Sequence, residues 1–268
     1  MTAVPLDALD LAIAALLVLA NAALSLRLRL ALERPLLIAA TRTAVQLFLV
    51  GFVIKALFAL ASPLWTGLMA LAMVLLAGRE VRARQSRRFA GLWGYGLGSL
   101  SIAAGAGLVT VLALTVIVQP EPWYQPRYAI PLLGMMLGNA MSGVSLALDA
   151  LVTSASRERR AIEARLALGD DRDTAFRMVA RHALRTGLMP IINAMSAAGV
   201  IALPGMMTGQ ILAGADPVEA VKYQILIMFL IAGATAIGVF LAVGVGVRLL
   251  SDPRHRLRFD RLQPLDSR

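Results

Sequence analysis

Apolar residues run along this chain in blocks of roughly twenty, separated by short stretches in which arginine recurs. A helix needs about 20 such residues to cross the hydrocarbon core of a bilayer. Seven spans are expected, at residues 7–26, 36–60, 63–78, 92–118, 130–150, 186–210 and 222–247, the third being the shortest. Pro35, Pro63, Pro131 and Pro190 are expected near the starts of spans, where a missing backbone N–H costs least. The pattern predicts an all-α integral membrane protein, one domain over residues 1–268, with a long loop at 151–185 and a basic tail at 248–268.

Composition narrows the classes. Of 268 residues 59% are hydrophobic and 16% charged, against roughly 25% charged in soluble domains, so no soluble domain larger than a loop or tail fits. Cysteine is absent and the only histidines are His182 and His255, which excludes disulfides and thiolate metal sites and starves imidazole clusters. Asp7 and Asp10, rather than Lys or Arg, open the first apolar run, so it is expected to be a retained span and not a signal peptide.

The net charge of +10 would suit nucleic acid only if it formed a patch on a soluble surface. Sorted by loop, 22 of the 26 Lys and Arg residues fall on one side of a seven-span chain, while Arg127 and Lys222 fall on the other and Arg42 and Lys55 lie within the second span. The positive-inside rule then places the amino terminus outside and the carboxyl terminus in the cytoplasm, with no role for nucleic acid. An odd span count disfavours two duplicated halves, and a homodimer would supply the symmetry instead.

One stretch breaks the apolar pattern: RERRAIEARLALGDDRDTAF, Arg157 to Phe176. Ile162 and Leu166 stand i, i+4 on one helix face, Gly169 suits a left-handed helix end, and Asp170 and Asp171 can cap a second helix carrying Phe176, Val179 and Ala183. An amphipathic helix on lipid headgroups is one reading. Glu158, Glu163, Asp170, Asp171 and Asp173 sit badly against an anionic leaflet and favour docking on a protein.

EARLALG, Glu163 to Gly169, resembles the E-A-A-x-x-x-G coupling motif of ABC-transporter permeases, with Arg165 where the second Ala usually stands. TRTAVQL (Thr41 to Leu47), IPLLGMMLGNAMSGVSLALD (Ile130 to Asp149) and INAMSAAGVIALPGMMTGQILAGADPVEAVKYQI (Ile192 to Ile225) are similar to the FetB/YbbM permease family. That family includes bacterial iron-export permeases and plant permeases tied to aluminium tolerance. The resemblance implies a homodimeric permease subunit in the bacterial cytoplasmic (inner) membrane, exporting iron and driven by a separate ATPase subunit. Glu163, Ala164, Gly169, Ile162 and Leu166 would form the ATPase-coupling element. ATP and Mg would belong to the partner, because a Walker A loop needs Lys after Gly and neither Lys55 nor Lys222 follows one. No cofactor and no enzymatic activity are expected of this chain itself.

For the pathway, Pro204 and Gly205 are expected to break the sixth span and expose carbonyls, which membranes tolerate only where backbone lines a cavity or is buried. Met206, Met207, Thr208 and Gln210 follow, with Asn139 and Asn193 in neighbouring spans. Methionines are commonly core filler and suit hard iron poorly, so no metal site is assigned, and weak coordination or a chelated, organic or nucleotide-sugar cargo stays open. Arg42 and Gln46 share a face of the second span, where Arg42 either snorkels or meets an anionic group, with Asp149 a possible partner. Gly134 with Gly138, Gly94 with Gly98 and Gly205 with Gly209 are spaced for close helix packing. Two rival classes remain: an intramembrane enzyme, which lacks a visible acid–base pair, and a secondary transporter or channel, which lacks an acidic relay.

Overall fold

The computed structural model describes residues 7–60, 62–85, 87–252, 254 and 256–263, without the side chains of Ala8, Leu92 and Trp93. His255 and the last five tail residues lie outside the described residues. Helices follow one another as α1 (Ala8–Arg27), α2 (Glu33–Leu60), α3 (Pro63–Arg84), α4 (Gly91–Ile102), α5 (Leu108–Leu112), α6 (Pro126–Arg157), α7 (Arg159–Ala167), α8 (Arg172–Ala175), α9 (Arg177–Ala197), α10 (Gly205–Leu212) and α11 (Pro217–Leu249). The π-helical turns Ala103–Gly107 and Ala113–Val118 carry α4 and α5 on as one continuous rod. No β-strand forms among the described residues, only isolated bridges.

Six of these helical stretches are long and apolar enough to cross a membrane, by length and composition. The expected sixth span, 186–210, is not one helix. Gly199 at φ +82° turns the chain after α9, and α10 restarts with Pro204 at its N-cap. The anticipated break at Pro204 thus begins several residues earlier. Residues 186–197 alone rise only about 18 Å, short of the roughly 30 Å core.

Other boundaries also move. The third span is longer than expected, running to Arg84, because arginines at its end extend the helix instead of stopping it. Pro131 and Pro190 lie inside α6 and α9, not at their starts. Helix α6 begins earlier, with Pro126 in its first turn, and α9 begins in the charged segment at Arg177.

Helix α6 is the centre of the bundle, with α3, α9 and α11 packed on it and Met136, Ala140, Val144, Leu148 and Leu151 fully or almost fully buried. Small residues permit the contact. A Cβ on Gly143 would fall 2.8 Å from the Gly187 carbonyl oxygen, and one on Gly187 the same distance from the Gly143 oxygen. Gly105 likewise meets the Ala234 carbonyl and Gly238. The glycines singled out for packing are mostly elsewhere: Gly138, Gly205 and Gly209 have open space within 4 Å, and Gly134 meets only the Met73 methyl at 3.3 Å. Spacing alone identified pairs, but which face turns toward a neighbour decides contact; of the expected pairs, Gly94 and Gly98 lie against Phe89 and Val81.

Helices α1 and α2 form a largely exposed hairpin, pinned where Ser25 Oγ donates to Glu33 and accepts from the Leu32 N–H. At the opposite end of α2, Arg127 stacks over Phe58 at 5.6 Å.

Candidate functional site

The segment Arg157 to Phe176 folds as its pattern predicts. Helix α7 closes at Leu168, Gly169 takes φ +100°, and Asp171 caps α8 by accepting the Thr174 N–H at 2.9 Å. A side chain at Gly169 would be strained, since φ near +100° is a region L-residues rarely adopt.

The elbow has an inward and an outward face. Ile162 is 2% exposed and Phe176 fully buried, while Leu166 packs on the core, so these anchor the elbow to α6 and α9. Glu163, Ala164 and Gly169 face out. Leu168 is 87% exposed at the tip, an apolar side chain presented by the most polar part of the chain. Sequence reasoning passed over it, although a leucine directly before the turn glycine was the available signal.

Beneath the elbow lies an arrangement that composition could not reveal. The described residues of the tail, 251–252, 254 and 256–263, fold back as a strap. The Ala90 N–H donates to Arg261 at 2.7 Å, the Gln263 N–H donates to Arg88 at 2.8 Å, and the Arg261 guanidinium donates to the Leu249 carbonyl. Arg87 reaches Ser156 Oγ at 2.9 Å, and Arg159 lies over Phe259. The loop after α3, the elbow and the strap, three of the four arginine-rich segments, are therefore joined at one end of the bundle.

Charge pairing tightens the strap. Asp252, 5% exposed, accepts the Arg256 N–H at 2.8 Å, the Arg254 N–H at 2.9 Å and the Arg256 Nε at 2.9 Å. The Arg256 backbone N–H foremost, then its side chain and the Arg254 N–H, hold that carboxyl below its ordinary range against the opposing effect of burial. Asp260 is lowered chiefly by its hydrogen bonds from Arg258.

The candidate pathway residues fall into separate groups. Met206, Met207, Thr208 and Gln210 occupy α10, which packs on α11, and the Thr208 hydroxyl donates back to Pro204. The Gln210 and Gln224 side-chain oxygens are buried without a hydrogen-bond partner among the described residues. Asn139 on α6 donates to Met135 in its own helix, and Asn193 is exposed on α9. Arg42 and Gln46 line a shallow groove on α2, and Arg42 donates to Glu80 of α3 at 2.6 Å. Glu80, not Asp149, is the carboxylate Arg42 meets. Among the described residues no three His, Cys, Asp or Glu side chains are grouped to hold a metal ion.

Residues 8–250 match the family described as "Uncharacterised protein family (UPF0014)". The chain belongs to this family. It is 42% identical over 201 residues to "UPF0014 membrane protein slr1647" of Synechocystis, covering 73% of this chain and 75% of that one. It is 32% identical over 252 residues to the "Probable iron export permease protein FetB" of Escherichia coli, covering 92% and 93%. The Arabidopsis thaliana "Protein ALUMINUM SENSITIVE 3" is 34% identical over 228 residues, covering 84% and 81%. No solved structure matches. The resemblance to FetB-type permeases read from the motifs holds over residues 8–250, and the chain is a multi-pass membrane protein of that permease family.

Proposed function

We propose that this chain is the permease subunit of an ABC transporter that exports iron across the bacterial cytoplasmic membrane, working as a homodimer with a separate ATPase. The carrying observation is the elbow: a helix, a left-handed glycine and a capped second helix, anchored by Ile162 and Phe176 and offering Glu163, Ala164 and Leu168 outward. An apolar knob ringed by charge suits a groove on a soluble protein. In this reading α9 and α10 together make a broken sixth crossing, giving seven passes with the amino terminus outside and the arginine-rich end in the cytoplasm.

ATP-driven closure of the partner would push on α7, and the rigid contacts of α6 with α9 and α11 would pass the movement to the crossings. Residues on α10, with Asn139, Asn193, Arg42 and Gln46, are the proposed pathway. The groups they offer a cargo are amide, hydroxyl and thioether, with one guanidinium on α2 already paired to Glu80, and such a set favours transient coordination or a chelated cargo over a tight bare-iron site. ATP and Mg belong to the partner.

The test is photocrosslinking with a crosslinker introduced at Leu168 or at Ile162 in cells producing the candidate ATPase. A crosslink to the ATPase at position 168 and none at 162 is expected. Equal crosslinking at both, or none at 168 in the assembled complex, would rule out the elbow as the docking element.

A further inference from the structure

Where α9 begins and α11 ends, a cleft of about 470 Å³ opens between the two helices. Its floor is apolar, built by Phe240, Val243, Gly244 and Val247 of α11 against Ala180 and Leu184 of α9. Phe240 is 55% exposed and a Cβ on Gly244 would meet nothing within 4 Å, so the floor is open to the lipid side.

Its rim is cationic. Arg177 and Arg181 stand one turn apart on α9, and Arg248 closes the rim from the last turn of α11. None of the three forms an ion pair among the described residues. Arg177 makes one long hydrogen bond to Thr174 Oγ1, at 3.5 Å. The carboxylate on the rim, Asp173, is paired with Arg172 at 3.4 Å.

We propose that this cleft binds one anionic phospholipid, with its phosphate between the three guanidiniums and an acyl chain along the α11 floor. Three cations lining one cleft, none of them in an ion pair among the described residues, repel one another, and a phosphate relieves that repulsion while offering the oxygen pairs that guanidinium forks match. Basic pockets between membrane helices at the cytoplasmic side are suited to acidic headgroups. The long apolar floor running away from the rim is the complement of a lipid, not of a free anion. Phe176 also lines the cleft, so a bound lipid would brace the wall against which the elbow is anchored. The proposal stands apart from the transport reading and needs no ATPase.

The experiment is native mass spectrometry of the full chain in detergent, titrated with phosphatidylglycerol or phosphatidylethanolamine. Retention of phosphatidylglycerol at concentrations where phosphatidylethanolamine is lost is expected. The Arg177→Gln/Arg181→Gln/Arg248→Gln variant is expected to weaken that retention at least about tenfold. Gly244→Leu, which fills the floor without touching the charge, is expected to weaken it as well. Arg34→Gln/Arg79→Gln/Arg84→Gln, equal in charge change but away from the cleft, is expected to leave it intact, and gel filtration checks that each variant stays folded. Equal retention of the two lipids would overturn the proposal, as would an equal loss in the distant triple variant. Full retention in folded Gly244→Leu, or displacement of the lipid by equimolar inorganic phosphate, would show a bare anion site and overturn it too.

Discussion

The Arg159 guanidinium lies 5.5 Å from the centre of the Phe259 ring, joining the first turn of α7 to the strap that follows α11. The same guanidinium donates to Glu163 at 2.9 Å. Glu163, Arg159 and Phe259 thus form a line from the outer face of the elbow to a segment hydrogen-bonded to the loop between α3 and α4. The strap is thus a further link between α7 and the bundle, beside the covalent link to α6 and the packing of Ile162 and Leu166.

Phe259→Ala removes the ring and leaves the charges. The ring is half-buried and packs against the core, so its loss adds to the about 0.5–1 kcal/mol of the cation–π contact and should loosen the strap. Limited trypsin digestion of the folded protein should cut faster after Arg258 and Arg261 in the variant. Unchanged cutting would mean that the backbone hydrogen bonds hold the strap alone.

The strap should also respond to acid. Asp252 and Asp260 have carboxyls held below their ordinary range, so each contributes stability that is complete above the unfolded value and is lost as pH falls through the folded one. Amide exchange at Arg254 and Arg256, corrected for intrinsic rates, should therefore be flat between about pH 5 and 8 and accelerate below about pH 4. Asp252→Asn should show the faster exchange at neutral pH and lose most of the acid dependence.

The two faces of the elbow should separate in mutation. Ile162→Ala empties a buried site and should cost about 2–5 kcal/mol, read as a lower melting temperature. Leu168→Glu changes an exposed side chain and should alter stability by no more than about 0.5 kcal/mol. Its expected effect is on co-purification with the ATPase, which should be lost while the permease remains folded.

Close packing at Gly143 gives a further contrast. Gly143→Leu forces α6 away from α9 and should destabilise the fold by about 1–3 kcal/mol or more, seen as reduced thermal stability in detergent. Gly138→Ala, one turn and a fraction earlier and facing open space, should leave the isolated chain's stability nearly unchanged.

Much of this was legible from the sequence because the bilayer imposes so few solutions. Long apolar runs must be helices, and their ends are marked by arginine, so six of the seven expected crossings appear as long apolar helices. The elbow was legible because Gly169, Asp171 and the i, i+4 pair Ile162 and Leu166 each act locally. What depended on distant partners was not. Glu80 as the partner of Arg42, the facing of Gly143 on Gly187, and Phe259 beneath Arg159 all join residues far apart in the chain. The break after α9 was placed late because Pro204 is the conspicuous breaker, whereas the chain first turns at Gly199.

Iron export driven through the elbow is read in inside-out vesicles containing the permease and its candidate ATPase, by ATP-dependent uptake of radiolabelled iron. The uncoupled control is Gly169→Pro, because proline cannot adopt the φ of +100° that shapes the elbow. Uptake that requires ATP and disappears in the control, with the complex still folded, is the predicted result. Uptake undiminished in Gly169→Pro, or iron movement that proceeds without ATP or the ATPase, would contradict it.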